Sequence, residues 1–303
     1  MRVAIAGAGD LARYLCEEFI KAGHEIVILS RKHRSHLERL GVTQIITDYT
    51  LESLRIPLAD CEVLISTIGD LTSSNVHVHC SLLQACQQSP KCKRFIPSEF
   101  GGDIESFPDQ PSFVYPARKD IRKALQEQTD VEWTLIANGW LADYTVPPQN
   151  RYIRDIDELC PINITGGSIV IPGSGREPVD LVWARDVAKA LAELVTKPAW
   201  EPFTFISGER TCWNDVANIV QQRYGQKMTI SHQSLSKIVE CARAAKDQDT
   251  LLLAEFQLYS LSHASSLPQE KVQAQRDKYF PGIHFRNLQE GLAELDSDSN
   301  LIV

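Results

Sequence analysis

The chain has 303 residues, 43% of them hydrophobic and 23% charged, with a formal net charge of −8. That length can bury one large core, or a core plus a small lobe, and the negative balance argues against a nucleic-acid binder. No apolar run approaches the roughly 20 residues of a membrane span, and eight cysteines without a CxxC pair read as reduced, mostly buried thiols of a cytoplasmic protein.

The chain opens on RVAIAG (2–7), an apolar run into glycine that reads as a strand and not as a secretory signal. A helical pattern, DLARYLCEEFIKAG (10–23), ends on a glycine stop. EIVILS (25–30), TQIITD (43–48) and EVLIST (62–67) read as strands, VHVHCSLLQACQQS (76–89) as a helix, RFIPS (94–98) and EWTLIA (132–137) as two more strands. Near-continuous apolar runs belong to a parallel sheet covered on both faces. Strand–helix alternation means βαβ units in a doubly wound α/β sheet. Past Trp140 the pattern breaks. Pro147 and Pro148 lead to an excursion, GGSIVIPGSG (166–175), after which 176–195 reads as a strand-like lead-in and a helix returning to the first domain. Trp183 and Asp186 there look like core and capping residues. FTFISG (203–208) fits a last strand, 209–295 a mostly helical cap, and DSDSNLIV a frayed tail. The expected division is a nucleotide-binding domain, 1–150 with the return segment at about 180–208, and a smaller substrate lobe, 151–303.

Gly7-Ala8-Gly9-Asp10-Leu11-Ala12 is a GxGxxA turn between the first strand and the first helix. Gly7 permits the tight turn, Gly9 lets a pyrophosphate approach the backbone, and Ala12 lets helix and strand pack closely. The free N–H groups and positive dipole end of the helix then meet the phosphates, with Asp10 and Leu11 beside them. An NAD site usually carries an acidic residue after the second strand. Here that strand ends Ser30-Arg31-Lys32-His33-Arg34, which suits the 2′-phosphate of NADP(H), with Arg31 the main contact and Lys32 or Arg34 assisting. Thr67, Ile68 and Gly69 follow the fourth strand, where the cofactor crosses toward its nicotinamide.

These residues, with Asp48-Tyr49, VLISTIG (63–69), KRFIPSEFG (93–101), TLIANGWLADY (134–144) and GSGREPVDLVWARDVAKAL, make the chain resemble the NmrA-like and isoflavone-reductase-like group of atypical short-chain dehydrogenases. The resemblance covers most of residues 1 to 210. It implies a Rossmann-type, NADP(H)-dependent protein. Members reduce plant phenylpropanoids or act in fungal secondary metabolism, and a regulatory branch binds nucleotides without known turnover.

VYPARKDIRKAL (114–125) holds the catalytic candidates. Tyr115 and Lys119 have the spacing of a proton-donating tyrosine–lysine pair, in which the lysine also holds the nicotinamide ribose. In the reductases a lysine opens a K-x-x-[IV]-R helix, and Ile121-Arg122 puts Arg118 at that position. An arginine stays protonated and is a poor general acid or base. Arg118 and Lys119 stand at i+3 and i+4 from Tyr115, so both can reach its side of a helix, and the choice between them stays open. Ser98, Glu99 and Phe100 end the fifth strand, where ligands of open α/β sheets bind. Ser98 is a cofactor contact, Phe100 a substrate contact, and Glu99 either moves a proton or structures the loop. Asn138, Gly139 and Trp140 follow the sixth strand and line a substrate pocket. His77 and His79 have no evident third partner, so no metal is expected.

The expected function is an NADP(H)-dependent oxidoreductase for a bulky, apolar secondary metabolite, moving hydride to or from a conjugated C=C, a C=O or a C=N. A cyclase or isomerase using the same site and a nucleotide-sensing regulator are the alternatives. A small-molecule substrate is the expected partner and a homodimer the expected assembly, and the regulator alternative adds a protein partner.

Overall fold

Val3, Ala4, Ile5, Ala6, Val27, Ile28 and Leu29 are all completely buried. Strands apolar on both faces need cover on both, and that requirement organises the first half of the molecule. The computed structural model describes residues 1–69, 73–225 and 228–303. Strands β1 (Arg2–Ala6), β2 (Glu25–Ser30), β3 (Thr43–Ile46), β4 (Val63–Ser66), β5 (Arg94–Ile96) and β6 (Glu132–Trp133) form one sheet, in the order β3-β2-β1-β4-β5-β6. Every pairing in it is parallel. The order reverses between β1 and β4, which opens a crevice at their carboxyl ends.

Helices α1 (Asp10–Lys21), α2 (Ser35–Glu38), α3 (Leu51–Leu58), α4 (Ser73–Gln88) and α5 (Tyr115–Gln126) connect these strands. α1 ends because Gly23, at φ +80°, takes a left-handed conformation. On one face of the sheet α1 packs with the returning α6 (Ala184–Leu194), through Leu15 and Phe19 against Val187 and Leu191. On the other, Leu82 and Cys86 of α4 meet Ile121 and Leu125 of α5.

EWTLIA is two short strands. The chain shifts partners at Thr134, whose hydroxyl bonds that of Thr204 at 2.7 Å. β6 stays on β5, while β7 (Leu135–Ala137) pairs in parallel with β12 (Phe203–Phe205), the expected last strand. The remaining strands build two small sheets. β8 (Trp140–Leu141) and β13 (Glu209–Cys212) flank β11 (Pro178–Val182), and β9 (Ile162–Asn163) and β14 (Thr229–Gln233) flank β10 (Ser168–Pro172). Helices α7 (Trp213–Tyr224), α8 (Leu235–Ala244), α9 (Gln248–Leu261), α10 (Gln269–Tyr279) and α11 (Leu288–Ser297) complete this part.

The segment after 209 is mostly helical, as expected, with two strands inside it: ERTC and TISHQ are polar enough to hide their strand character, which comes from pairing with β11 and β10. One expectation needs correction. The tail is not frayed. Asn150 Nδ2 donates to the carbonyls of Ser299 and Leu301 at 2.8 and 2.9 Å, and the Val303 N–H donates to the Asn150 carbonyl at 3.0 Å, with the Val303 side chain fully buried. Trp183 and Asp186 are completely buried, Trp183 Nε1 donating to the Asn287 carbonyl and Asp186 pairing with Arg286 at 3.0 Å. All eight cysteines are free, and burial pushes Cys16, Cys61 and Cys160 up to about 12. Among the described residues no helix is long and apolar enough to cross a membrane.

Candidate active site

The crevice between β1 and β4 deepens into a cleft of about 590 Å³. Gly7 turns the chain out of β1 at φ +106°, and a Cβ there would stand 2.6 Å from Thr67 Oγ1, so the turn packs directly on the end of β4. A Cβ on Gly9 would meet no atom within 4 Å, so the backbone there borders open space. α1 begins at that point with no side chain capping it, which leaves its first N–H groups for a ligand. Of the expected cofactor residues, Gly7, Gly9, Asp10, Leu11, Ser30, Arg31, Arg34, Thr67, Ile68 and Gly69 all line the cleft. Tyr49 joins them, buried at φ +64°, its hydroxyl donating to the Leu29 carbonyl at 2.7 Å and its ring 5.7 Å from the Arg31 guanidinium. The end of β2 and the run 31–34 contribute no carboxylate to the lining. The residues present fit a dinucleotide carrying a 2′-phosphate. Lys32 is exposed and outside the lining, its carbonyl accepting from Ser30 Oγ at 2.6 Å.

The cleft is also lined by a segment that sequence reasoning missed. Ile153, Arg154, Asp155 and Ile156 line it beside the start of α1. Nothing in their spacing marks them, because they reach the cleft through contacts with α1 and not through a motif.

A second cavity, of about 390 Å³, opens from the first. The two share Leu11, Thr67, Gly69, Leu141, Tyr144 and Ile156. Its walls are largely aromatic: Phe100, Phe113, Trp140, Tyr144, Phe256 and Tyr259 all line it. Trp140 is the hub, with the rings of Tyr144, Phe256 and Tyr259 at 6.0 to 6.5 Å. Gly139 is also in the lining, held at φ +64° where a Cβ would stand 2.2 Å from the Asp180 carbonyl oxygen. Ser98 lines this cavity and not the nucleotide cleft. Asn138 is buried behind the lining, its N–H donating to the Gly101 carbonyl at 2.7 Å. Phe256 and Tyr259 come from α9, one turn apart; that i, i+3 spacing was the available signal, but it equally describes a core stripe.

The helix α5 separates the basic candidates. Its buried face is Ala117, Arg118, Ile121, Arg122 and Leu125. Arg118 is 4% exposed and lines the aromatic cavity, together with Arg122 and Glu99. Lys119, one residue on, is rotated about 100° around the helix axis and lies exposed, outside both linings. Tyr115 is 36% exposed and also outside them. The structure therefore does not bring Tyr115 and Lys119 to the cavity. Both Glu99 oxygens are engaged by Arg122, Nε to Oε1 at 2.8 Å and Nη2 to Oε2 at 2.7 Å. Burial holds the Tyr144 and Tyr259 hydroxyls well above the usual phenol range. His79 is buried, its ring 6.5 Å from that of Phe95, and His77 is exposed. Among the described residues no three His, Cys, Asp or Glu side chains gather around a common point to hold a metal.

A cleft on the GxGxxA turn that opens into an aromatic cavity defines a dinucleotide-binding α/β protein with a substrate-sized pocket. The model of the NmrA-like family matches residues 2–275, and the chain belongs to that family. The oxidoreductase swnR of Arthroderma benhamiae is 55% identical over 305 residues, covering 100% of both chains. The oxidoreductase swnR of Metarhizium robertsii is 54% identical with the same coverage. In three dimensions the chain resembles leucoanthocyanidin reductase of Vitis vinifera, solved as a binary complex with NADPH. The TM-score is 0.75 at 18% identity, covering 97% of this chain and 99% of that one, a likeness of fold.

Proposed function

We propose that the protein is an NADP(H)-dependent oxidoreductase acting on a bulky, largely apolar small molecule. One observation carries the reading: the nucleotide cleft and the aromatic cavity share six wall residues, so ligands in the two would meet. The fungal relatives that match the whole chain are named oxidoreductases, which supports it. Gly7, Gly9 and the α1 N-terminus would hold the pyrophosphate, and Arg31 with Arg34 the 2′-phosphate. When bound, the nicotinamide would supply or accept a hydride at the junction. The proposed division keeps residues 1–150, with the return segment at about 180–208, as the nucleotide domain and 151–303 as the smaller lobe, with both chambers lined from both parts: Ile153 to Ile156 reach the cleft, and Phe100, Phe113, Trp140 and Tyr144 the aromatic cavity.

In this reading Arg118, and not Lys119, is the cation at the reacting end. A guanidinium cannot hand over a proton near neutral pH, but it stabilises an oxygen that gains charge. Glu99 is committed to Arg122 and so structures the loop after β5. With the tyrosine hydroxyls held reluctant by burial, the site is short of a ready proton donor. It suits acceptors that are already activated: a conjugated C=C, or a C=N in its iminium form, before a plain ketone. Ketone reduction abolished by Tyr115→Phe would overturn this assignment.

The same shortage favours a second reading. Aromatic walls that hold reacting atoms close accelerate cyclisation or isomerisation with few special side chains, so a redox-coupled or redox-neutral cyclase is the alternative. The test is to incubate the purified protein with NADPH, and separately with NADP⁺, in a metabolite extract from source cells lacking the gene. A product heavier by two hydrogens with NADPH, or lighter by two with NADP⁺, supports the oxidoreductase. A product of unchanged mass moves the assignment to the cyclase. Nucleotide binding without any product leaves the regulatory role of the family's other branch.

A further inference from the structure

An ion pair between residues 144 apart in sequence lines the nucleotide cleft. Asp10, the first residue of α1, accepts two hydrogen bonds at Oδ2 from Arg154: the backbone N–H at 3.0 Å and Nε at 2.9 Å. The Arg154 side chain is 85% exposed, and its terminal Nη1 and Nη2 make no hydrogen bond among the described residues. The segment that carries it is fixed on both sides. Before it, the Tyr152 N–H donates to Tyr14 Oη at 2.9 Å, the Tyr152 hydroxyl to Glu17, and the Arg13 guanidinium lies 3.6 Å over the Tyr152 ring. After it, Asp155 is held by the buried Arg151 and by Thr165 Oγ1 at 2.9 Å.

A carboxylate on the first residue of a helix complements the helix dipole. At this helix it has a second effect: it opposes any dianion arriving at the same N-terminus. Arg154 removes that conflict. Its Nε and backbone N–H are committed to Asp10, and the other half of its donor fork is left over on a residue that lines the cleft. We propose that Arg154 is a phosphate clamp. It cancels the Asp10 charge and donates Nη1 and Nη2 to the pyrophosphate of the dinucleotide, from beside the GxGxxA turn. The proposal rests on the NADP(H) reading.

The test is a direct affinity measurement on the full chain. Calorimetric titration with NADP⁺ and with NADPH is run on the natural protein, Arg154→Gln, Asp10→Asn and the double variant, with thermal melts confirming that each folds. Arg154→Gln is expected to raise Kd about tenfold or more, the scale of a charge-assisted hydrogen bond. Asp10→Asn tightens binding, because a repelling charge is gone. The double variant binds more weakly than Asp10→Asn alone. If the double variant matches Asp10→Asn, Arg154 only neutralises its neighbour and the clamp is wrong. It is equally wrong if Arg154→Gln binds within about twofold of the natural protein, well under what one charge-assisted bond supplies. If the natural protein binds neither nucleotide, the cofactor reading falls and the clamp with it.

Discussion

Arg122 lies across the carboxylate of Glu99 in a two-pronged contact, with separations of 2.8 and 2.7 Å and side chains only 9% and 3% exposed. The pair joins the buried face of α5 to the loop after β5, where Phe100 adopts φ +45° at the cavity wall. Arg122 also donates to the Pro108 carbonyl. One guanidinium thus holds three pieces of the substrate side together. Removing it strands a buried carboxylate. Arg122→Met is expected to cost about 3–5 kcal/mol of folding free energy, read from urea unfolding. A loss under about 1 kcal/mol, the size of an exposed pair, would show that the contact is not made in solution.

Arg31 and Arg34 stand where an NAD site has its acid. The variant Arg31→Ser/Arg34→Ser should weaken NADPH binding by about a hundredfold or more, since two charge-assisted bonds of about 1.5–3 kcal/mol each are lost. NADH binding should hardly change. Equal losses for the two nucleotides would place the arginines elsewhere than at the 2′-phosphate.

Asp143 supplies a pH dependence. It is completely buried, its oxygens accepting from the Tyr14 hydroxyl at 2.9 Å and the Ala184 N–H at 2.8 Å, and burial raises it from 3.8 to about 6. A carboxyl whose folded value is raised keeps a proton that the unfolded chain has shed. Its contribution to stability is therefore complete below about pH 4 and lost as pH rises through about 6. Asp143→Asn should remove this component. Melting temperatures of the two proteins, followed from pH 4 upward, should converge in slope above pH 6 and differ below it. Parallel curves throughout would refute the assignment.

Gly139→Ala tests the backbone beneath Trp140. The substitution adds a Cβ 2.2 Å from the Asp180 carbonyl oxygen at φ +64°. A strained backbone of this kind costs about 1–3 kcal/mol before any clash. The variant should melt several degrees lower and lose ligand affinity in the aromatic cavity more than nucleotide affinity. A melting temperature equal to that of the natural protein would mean that β8 and β11 have room to part.

Much of this was legible beforehand because it is local. The GxGxxA turn, the basic run after β2 and the apolar strands each declare themselves within a few residues. Arg118 and Lys119 could not be separated by spacing, since i+3 and i+4 both reach Tyr115's side of an ideal helix; only the burial of Ala117, Ile121 and Leu125 fixes which way the helix faces. β13 and β14 hid in polar sequence. The tail looked frayed because its anchor, Asn150, is about half the chain away. Arg154 was invisible for the same reason, its partner Asp10 lying 144 residues earlier.

The wall shared by cleft and cavity also bears on binding. Leu11, Thr67, Gly69, Leu141, Tyr144 and Ile156 serve both chambers, so whatever fills one alters the surface presented to the other. Linkage makes that influence reciprocal. A ligand in the aromatic cavity that strengthens nucleotide binding by some factor should therefore itself be held more tightly, by the same factor, once nucleotide is in place.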